Sequence, residues 1–373
     1  MKKQPLKAAV IGTGMIAHKA HIPAYQSMAD YYTLDAVMDK TMASAQQTAD
    51  LFGIKSAYDD VQKMFLEVQP DIVSICTPSA THAAFARLAL QHGAHVLCEK
   101  PLALCYKETK ELFDLAAKQN RMIMACQTLR YHPDYLAAHH YAQAGTLGPI
   151  YYAEFSAIRR RGIPTWGSFH RKAASGGGCL SDLGVHMLDA AIWIMGCPRF
   201  ASITGTTAAL FGQREEQVHT SLAESGAPAG ISTKRRYNPS EFDVEGFAAG
   251  SIRFENGALL NFKTAWAVNL PPRFNLTMAG EKAGFSLPEM TLYSVLHQYQ
   301  ADITPRIFHE GPYDHHPFSG HFYLIENAAR HLLYQEDLMV KPQETLLVTA
   351  LIEGFYVAAA KGREVRADEI MNP

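Results

Sequence analysis

The stretch Ala8-Ala9-Val10-Ile11, followed by Gly12-Thr13-Gly14-Met15-Ile16-Ala17, decides how the first part of this chain folds. The apolar residues predict a buried strand, and the G-x-G-x-x-A pattern after it predicts a tight turn into a helix. The first glycine permits the turn, the second lets phosphates approach the backbone, and small Ala17 lets the helix pack on the strand. Anions are favoured at such a helix N-terminus. The stretch therefore predicts a dinucleotide site with contacts at Gly12, Gly14, Met15 and Ile16.

Strand-like runs alternate with helical segments over the first third of the chain. Apolar strands joined by helices are typical of a parallel sheet that is covered on both faces. The helical segments Thr81–His92 and Tyr106–Gln119 end near Gly93 and Asn120, as helix stop signals predict. We therefore expect an α/β fold that begins with a doubly wound Rossmann sheet in a domain spanning 1–127. Its further strands are predicted at Leu34–Met38, Asp71–Cys76, Ala94–Cys98 and Met122–Cys126.

The pattern changes beyond Gln127. A helix is predicted from about Cys179 to Met195, and later strand-like segments include a hairpin that turns at Asn256-Gly257. Strands clustered together with helices apart predict an α+β domain with an open, mostly antiparallel sheet over 128–373. These patterns do not place the stretch 212–244, which is rich in Ser, Gly, Pro and charge. The other predicted elements are strands at Gly250–Glu255, Ala258–Trp266 and Phe274–Met278, and a helix at Gln343–Lys361.

Composition narrows the classes of function. The chain has 373 residues, 48% of them hydrophobic, and 34 Lys and Arg against 36 Asp and Glu give a net charge of −2. This length predicts two globular domains, and the near-neutral charge argues against a nucleic-acid partner. The sequence has no run of 18 apolar residues and no recognisable signal peptide, so we expect no membrane partner. Six cysteines without a C-x-x-C pair are typical of buried thiols in a reducing cytoplasm, where we expect the protein.

An acidic residue at the end of the second predicted strand bears on the choice of cofactor. Asp39 stands where a carboxylate can bond the adenosine ribose hydroxyls and repel a 2′-phosphate. This position favours NAD as the cofactor. Lys40, beside it, is a cation that could accept the phosphate, so NADP stays open as the alternative.

Two loops directly follow predicted parallel strands, at the edge where open α/β sheets bind ligands. They are Thr77-Pro78 and Glu99-Lys100-Pro101. A lysine in a loop is usually a solvated charge. The position of Lys100 at a strand end distinguishes it from that ordinary case.

A third signal lies in the second domain. Asp182 and His186 are four residues apart after Gly176-Gly177-Gly178, so a helix places them on one face. A carboxylate can orient an imidazole and raise its pKa, which suits a general acid/base near neutrality. A capped or solvated pair gives the same spacing, so this motif alone does not decide between the two interpretations.

Taken together in this order, the pieces resemble the Gfo/Idh/MocA oxidoreductases, the family of glucose–fructose oxidoreductase and the inositol dehydrogenases. The likeness spans about 6–270 and, with the C-terminal helix, nearly the whole chain. It implies a Rossmann domain followed by an α/β domain whose open sheet mediates oligomers, here a homodimer or homotetramer. The matching segments are Gly12–Ala17, Thr77-Pro78 with His82, His95–Pro101, Arg130–Pro133, and Gly176–Gly178 with Asp182 and His186.

The resemblance also implies the chemistry, a reversible hydride transfer between nicotinamide and a secondary hydroxyl or carbonyl of a sugar, glycoside or cyclitol. In that reaction Lys100 would stabilise the developing alkoxide, His186 would take the hydroxyl proton, and Asp182 would orient the pair. Hydride transfer needs no metal, and no metal site is predicted. The implied cofactor-binding residues are Gly12, Gly14, Met15, Ile16, Asp39, Lys40, Thr77, Pro78, His82, Glu99, Lys100 and Gln127.

The substrate is less sharply indicated than the cofactor. Arg159-Arg160-Arg161 and Trp166 resemble a loop that borders the pocket in one branch of the family, and both residue types suit sugar rings. Three arginines could equally form a solvated strand end or a subunit contact. The predicted substrate-binding residues are Lys100, Arg130, Tyr131, Arg159, Trp166, His170, Asp182 and His186.

Three alternative functions stay open within the same fold. An NAD-dependent glycosidase would use transient oxidation to enable elimination, and an aldose-type reductase would prefer NADPH. A non-catalytic regulator would only bind a dinucleotide, but the set of Lys100, Asp182 and His186 argues against it because a sensor needs no proton-transfer groups.

Overall fold

The computed structural model describes residues 3–214, 216, 218, 221–228, 236–308 and 310–372. The chain divides into two compact units. The first contains Met1–Tyr131 with Glu310–Thr345, and the second contains His132–His309 with Leu346–Pro373. Within the described ranges, no helix is long and apolar enough to cross a membrane.

A six-stranded sheet in which neighbouring strands run parallel forms the centre of the first unit. Its strands are β1 (Leu6–Ile11), β2 (Tyr32–Met38), β3 (Ser56–Tyr58), β4 (Ile72–Ile75), β5 (His95–Cys98) and β6 (Ile123–Ala125). Its helices include α1 (Ile22–Ser27), α2 (Met42–Phe52), α3 (Val61–Val68), α4 (His82–Gln91) and α5 (Tyr106–Lys118). The order β3-β2-β1-β4-β5-β6 reverses between β1 and β4, which is the point where such sheets bind ligands. The predicted doubly wound sheet is confirmed, and β3 is a short strand that the sequence patterns do not predict.

A second sheet of nine strands forms the centre of the second unit. Its strands are β7 (Ile150–Ile158), β8 (Phe200–Ala208), β9 (Phe247–Phe254), β10 (Leu259–Ala265), β11 (Arg273–Gly280), β12 (Ala283–Leu287), β13 (Thr291–Leu296), β14 (Tyr299–Ile303) and β15 (Val365–Arg366). Their order is β14-β13-β12-β11-β7-β10-β9-β8-β15. Neighbours are antiparallel except β7 and β10, so the predicted mostly antiparallel sheet is confirmed. The remaining helices of the chain are α6 (Pro133–Gln143), α7 (Lys172–Ser175), α8 (Val185–Ile194), α9 (Ser319–Tyr334), α10 (Pro342–Lys361) and α11 (Asp368–Met371).

Each face of the parallel sheet has its own hydrophobic core. On one face the strands pack against α3, α4 and α5 through residues such as Phe65, Leu90 and Leu112. On the other face they pack against α1 and α2, and also against α9, which comes from much later in the chain. The α9 residues buried there are Phe322, Leu324, Ile325, Ala328 and Ala329.

The position of α9 differs from the predicted division, which assigns all of 128–373 to the second domain. The physical reason is that α1 and α2 leave part of one apolar sheet face to be covered, and α9 buries it. Both apolar packing and hydrogen bonds fix the position of α9. The hydroxyl of Tyr32 donates to the carbonyl of Ile325 over 2.8 Å, and that of Tyr131 donates to Asn327 Oδ1 over 2.9 Å.

Arg130 is held in the same region by a buried ion pair. Its fully buried guanidinium pairs with Glu344 and donates to the Met339 carbonyl over 3.0 Å. The sequence analysis expects Arg130 and Tyr131 to bind substrate. The structure uses both side chains to attach the segment after residue 310 to the first unit, and their binding of substrate stays a prediction.

Candidate active site

The glycines after β1 have separate structural tasks. Gly12 has φ +93°, and a Cβ there would lie 2.8 Å from the carbonyl of Cys76, so only glycine fits. At Gly14 the nearest atom to such a Cβ would be 4.0 Å away, which leaves open space beside the backbone. The loop therefore fits phosphates at the start of the helix, as the motif predicts.

Asp39 follows β2 and fixes this loop. Its Oδ2 accepts hydrogen bonds from the Thr13 backbone N–H at 3.0 Å and from Thr13 Oγ1 at 2.7 Å. No described residue bonds to Oδ1, which is therefore available to a ribose hydroxyl. Lys40, next to it, is exposed.

His82 connects the two loops that follow β4 and β5. Its side chain is 1% exposed, with Nε2 at 2.8 Å from the Thr77 carbonyl and Nδ1 at 2.7 Å from the Pro101 carbonyl. Because both ring nitrogens are engaged by backbone, His82 shapes the cofactor loops and does not offer a polar atom to the cofactor. Its direct contact with the cofactor stays a prediction. Lys100 is half-buried between Glu99 and the cis-bonded Pro101.

One buried polar atom just after β6 has no hydrogen-bond partner among the residues that the structure describes. Gln127 is 3% exposed, and its Oε1 has none among the described residues. Buried polar atoms nearly always find a partner, so such an atom at the carboxyl edge of the sheet points to a ligand. This observation, with the open space at Gly14, fits a dinucleotide on the first unit.

Asp182 lies in the second unit, in a π-helical turn over Leu180–Gly184 that leads into α8. The sequence predicts a regular α-helix from Cys179, in which Asp182 and His186 would lie on one face. The π-helical turn is wider than an α-helical turn, so this spacing of four residues no longer guarantees a shared face. The indole Nε1 of Trp266 donates to Asp182 Oδ2 over 3.0 Å, and Trp266 is fully buried. His186 follows in the first turn of α8 and is half-buried.

A buried carboxylate holds the start of the helical segment that carries Asp182. Glu245 Oε2 accepts from the Gly178 backbone N–H at 2.8 Å, and Oε1 accepts from the Leu180 N–H at 3.1 Å. The Tyr356 hydroxyl also donates to Oε1 over 2.8 Å, and the Glu245 carbonyl accepts from the Cys179 N–H at 3.1 Å. A carboxylate at a helix N-terminus satisfies free amide donors and complements the helix dipole.

The glycines before the helix make this cap possible. A Cβ on Gly178 would overlap the Glu245 carbonyl oxygen, and one on Gly177 would overlap the Tyr356 hydroxyl. In the structure, these two glycines let protein groups approach the helix end.

The loop that contains Arg159 and Trp166 is hydrogen-bonded to Ser225. Ser225 lies in the stretch 212–244, to which the sequence patterns assign no element. Arg159 Nη1 donates to the Ser225 carbonyl over 2.6 Å, and Trp166 Nε1 donates to Ser225 Oγ over 2.9 Å. Trp166 is 8% exposed, and its contact with a substrate stays a prediction. Burial lowers the pKa of Arg159, and the nearby Asp182 carboxylate opposes this. His170 is buried, with Glu241 Oε2 at 3.8 Å from its Nε2.

The predicted site residues therefore divide between the units. The Gly12–Ala17 loop, Asp39, Thr77, Glu99, Lys100 and Gln127 belong to the first unit, and Arg159, Trp166, His170, Asp182 and His186 belong to the second. Three residues that the sequence analysis does not assign to the site contact its helix, namely Trp266, Glu245 and Tyr356. Trp266 is predicted there as a core or sheet residue, and no spacing in the sequence connects these three residues to Asp182.

Comparison with known proteins agrees with this architecture. A family model described as an oxidoreductase family with an NAD-binding Rossmann fold matches residues 6–127, and the GFO/IDH/MocA C-terminal domain matches 135–286. A D-glucoside 3-dehydrogenase of Escherichia coli is 30% identical over 367 residues, which cover 98% of each chain. This protein is a Gfo/Idh/MocA oxidoreductase.

Two further relatives of this oxidoreductase are more distant. Levoglucosan dehydrogenase of Pseudarthrobacter phenanthrenivorans is 27% identical over 270 residues, covering 69% of this chain and 66% of its own. The crystal structure of an aldose-aldose oxidoreductase from Caulobacter crescentus, complexed with glycerol, superposes with a TM-score of 0.75 at 21% identity. The superposition covers 97% of this chain and 100% of the Caulobacter chain, so the two proteins share a fold. Membership of this family confirms the expected NAD(P)-dependent dehydrogenase that acts on CH-OH groups.

The glycine at the helix cap gives a direct test of this geometry. We expect Gly178→Ala to lower the free energy of unfolding by about 1–3 kcal/mol, because the new methyl group forces Glu245 away from the helix end. The matched control is Gly246→Ala, since a Cβ there would have its nearest neighbour at 3.8 Å. Urea unfolding followed by fluorescence measures both variants, and equal stability of the two would contradict the proposed cap.

Proposed function

We propose that this oxidoreductase oxidises a secondary hydroxyl group of a sugar or glycoside with NAD as hydride acceptor. The observation that carries the proposal is the 30% identity to a D-glucoside 3-dehydrogenase across 98% of both chains. Lys100, Asp182 and His186 support it because they supply the cation, carboxylate and imidazole that alcohol oxidation needs.

The roles of these residues follow from their chemistry. When NAD is bound, its nicotinamide supplies the hydride acceptor. His186 would take the hydroxyl proton as general base, and the Lys100 ammonium would stabilise the negative charge that develops on that oxygen. Asp182 would orient the proton-transfer groups, and the hydrogen bond from Trp266 holds its carboxylate in one position.

A substrate panel tests the assignment. Purified enzyme is incubated with NAD or NADP and with sugars, methyl and aryl glycosides, or inositols, and reduced nicotinamide is read by absorbance. We expect glucosides to be oxidised, and product analysis then identifies the carbon. Activity confined to inositols would contradict the sugar assignment. Tightly retained NAD with glycoside cleavage and no net reduction would indicate the glycosidase alternative.

Substitution of the catalytic residues gives a sharper prediction. Lys100→Met and His186→Ala should each lower kcat by about 10²–10⁴-fold, because each removes a group that acts on the reacting oxygen. NADH affinity, measured by fluorescence, should stay nearly unchanged. Lys107→Met and His140→Ala alter exposed residues of the same types and serve as controls. Turnover near wild type in both Lys100→Met and His186→Ala would refute the assignment.

Cofactor preference is tested at Asp39. The substitution Asp39→Asn keeps an oxygen that can accept from Thr13 but removes the negative charge that repels a 2′-phosphate. We expect the Kd for NADPH to improve by about tenfold while the Kd for NADH rises only slightly. Titration of wild type and variant with both nucleotides measures this, and a wild type that prefers NADPH would contradict the NAD assignment.

The nine-stranded sheet supports a homodimer or homotetramer. Grooves on it are lined by Glu154, Thr206, Asn261 and Lys263, and Tyr293 nearby is 42% exposed. A second copy would cover this surface. Light scattering should show an oligomer for wild type and a smaller species for Thr206→Glu, with exposed Gln119→Glu as control. A monomeric wild type would contradict this proposal.

A cytoplasmic location is supported by the cysteines. Cys76, Cys98, Cys126 and Cys179 are buried free thiols, and burial raises the pKa of each well above its usual range. Unpaired thiols are typical of a reducing compartment. Cell fractionation with antibody detection checks the location, and recovery with secreted marker proteins would overturn it.

A further inference from the structure

A chain of buried hydrogen bonds lies behind the Glu99 loop. The Tyr25 hydroxyl is 2.7 Å from Ser74 Oγ, and Ser74 Oγ is 2.9 Å from His21 Nδ1. The other ring nitrogen of His21, Nε2, is 2.9 Å from Glu99 Oε1. His321, in the first turn of α9, places its own Nε2 3.0 Å from the same oxygen. Two imidazoles therefore hold one carboxylate at the end of β5.

The proton positions in this chain follow from the carboxylate. An ionised Glu99 can only accept, so both Nε2 atoms carry the protons of these bonds. Burial lowers the pKa of His21, so its ring is neutral and its Nδ1 accepts from Ser74. Burial alone would raise the pKa of Glu99, but hydrogen bonds from His21 and His321 hold it well below its usual range.

The arrangement leaves the second oxygen of Glu99 available. Both imidazoles bond to Oε1, and no described residue bonds to Oε2. Glu99 keeps 9% of its surface exposed and directly precedes Lys100 at the carboxyl edge of the sheet. An ionised carboxylate oxygen forms strong, short hydrogen bonds to hydroxyl groups. Oε2 is thus suited to a diol at the end of the cofactor site opposite Asp39.

The chain is shaped locally so that His321 reaches Glu99. A Cβ on Gly320 would lie 2.6 Å from the Thr128 carbonyl oxygen, so glycine lets the start of α9 approach that turn. Further along α9, Phe322 and Ile325 belong to the hydrophobic core. His321 is only 8% exposed, and a buried polar ring in an otherwise apolar face is unfavourable without a partner. Glu99 is that partner.

We propose that His21 and His321 are positioning residues for cofactor binding, which hold Glu99 so that its free carboxylate oxygen accepts hydrogen bonds from the ribose hydroxyls next to nicotinamide. This inference rests on the proposed function only in taking NAD as the cofactor. It requires no particular sugar substrate.

A metal ion is the competing occupant of this cluster. Ligand atoms of His21, Glu99 and Cys126 all lie within 4.8 Å of one another, and zinc accepts such a donor set. Zinc would have to displace the proton of the buried Cys126 thiol. The two imidazole N–H groups also already occupy Glu99 Oε1. These facts favour a hydrogen-bonded carboxylate.

Calorimetric titration with ADP, ADP-ribose and NADH tests the proposal on the full chain. ADP lacks the second ribose, whereas ADP-ribose carries it without nicotinamide, so comparing the two isolates the ribose contact. We expect His321→Leu to raise the Kd for ADP-ribose and NADH about tenfold and to leave the Kd for ADP within about twofold. His321→Gln places an N–H at similar reach and should restore most of the affinity.

The matched control is His331→Leu, the same substitution in the same helix, where the ring contacts the Glu336 carbonyl and not Glu99. Thermal unfolding of every variant separates misfolding from a specific loss. Equal losses for all three ligands, or no rescue by glutamine, would show a purely structural role and overturn the proposal. Stoichiometric zinc in the purified wild type would also overturn it. Because binding is read directly, failure to oxidise any sugar leaves this result interpretable.

Discussion

A parallel sheet must be covered on both faces, and this requirement organises the first unit. Its strands are apolar on both sides, so neither face can be left to solvent. Helices from the first third of the chain cover one face fully and the other only in part, and α9 completes the cover. The same helix carries His321 to the carboxyl edge of the sheet. Packing of α9 on the sheet therefore both covers the core and brings His321 to Glu99.

Three carboxylates show how this oxidoreductase fixes the groups around its chemistry. Asp39 and Glu99 each use one oxygen to bind protein groups, Thr13 in one case and two histidines in the other, and no described residue bonds to the second oxygen of either. Glu245 uses both oxygens internally to hold the helix that carries Asp182. A carboxylate bonded on one side is held in one orientation, which lowers the entropy lost when a ligand binds the other side.

The sequence predicted those features whose physical cause is local. Apolar runs with G-x-G-x-x-A after the first strand predicted the Rossmann sheet, and Asn256-Gly257 predicted a hairpin whose turn glycine has φ +86°. Long-range pairing was not predictable in this way. Nothing in the neighbourhood of Trp266 or Glu245 indicates a bond to the helix that begins near Cys179, and the ion-pair partner of Arg130, Glu344, lies 214 residues further along the chain. The π-helical turn at Leu180–Gly184 likewise depends on packing and not on a periodic pattern.

The late position of α9 has a consequence for how the protein is made. A ribosome releases the six strands of the first sheet long before it releases Ser319–Tyr334, so one sheet face stays incompletely covered while the intervening chain is synthesised. Over that interval, the apolar residues of the sheet that α9 later buries have no helix to pack against. Folding of the first unit is thus completed only after most of the second unit has left the ribosome, although its sequence begins at the N-terminus.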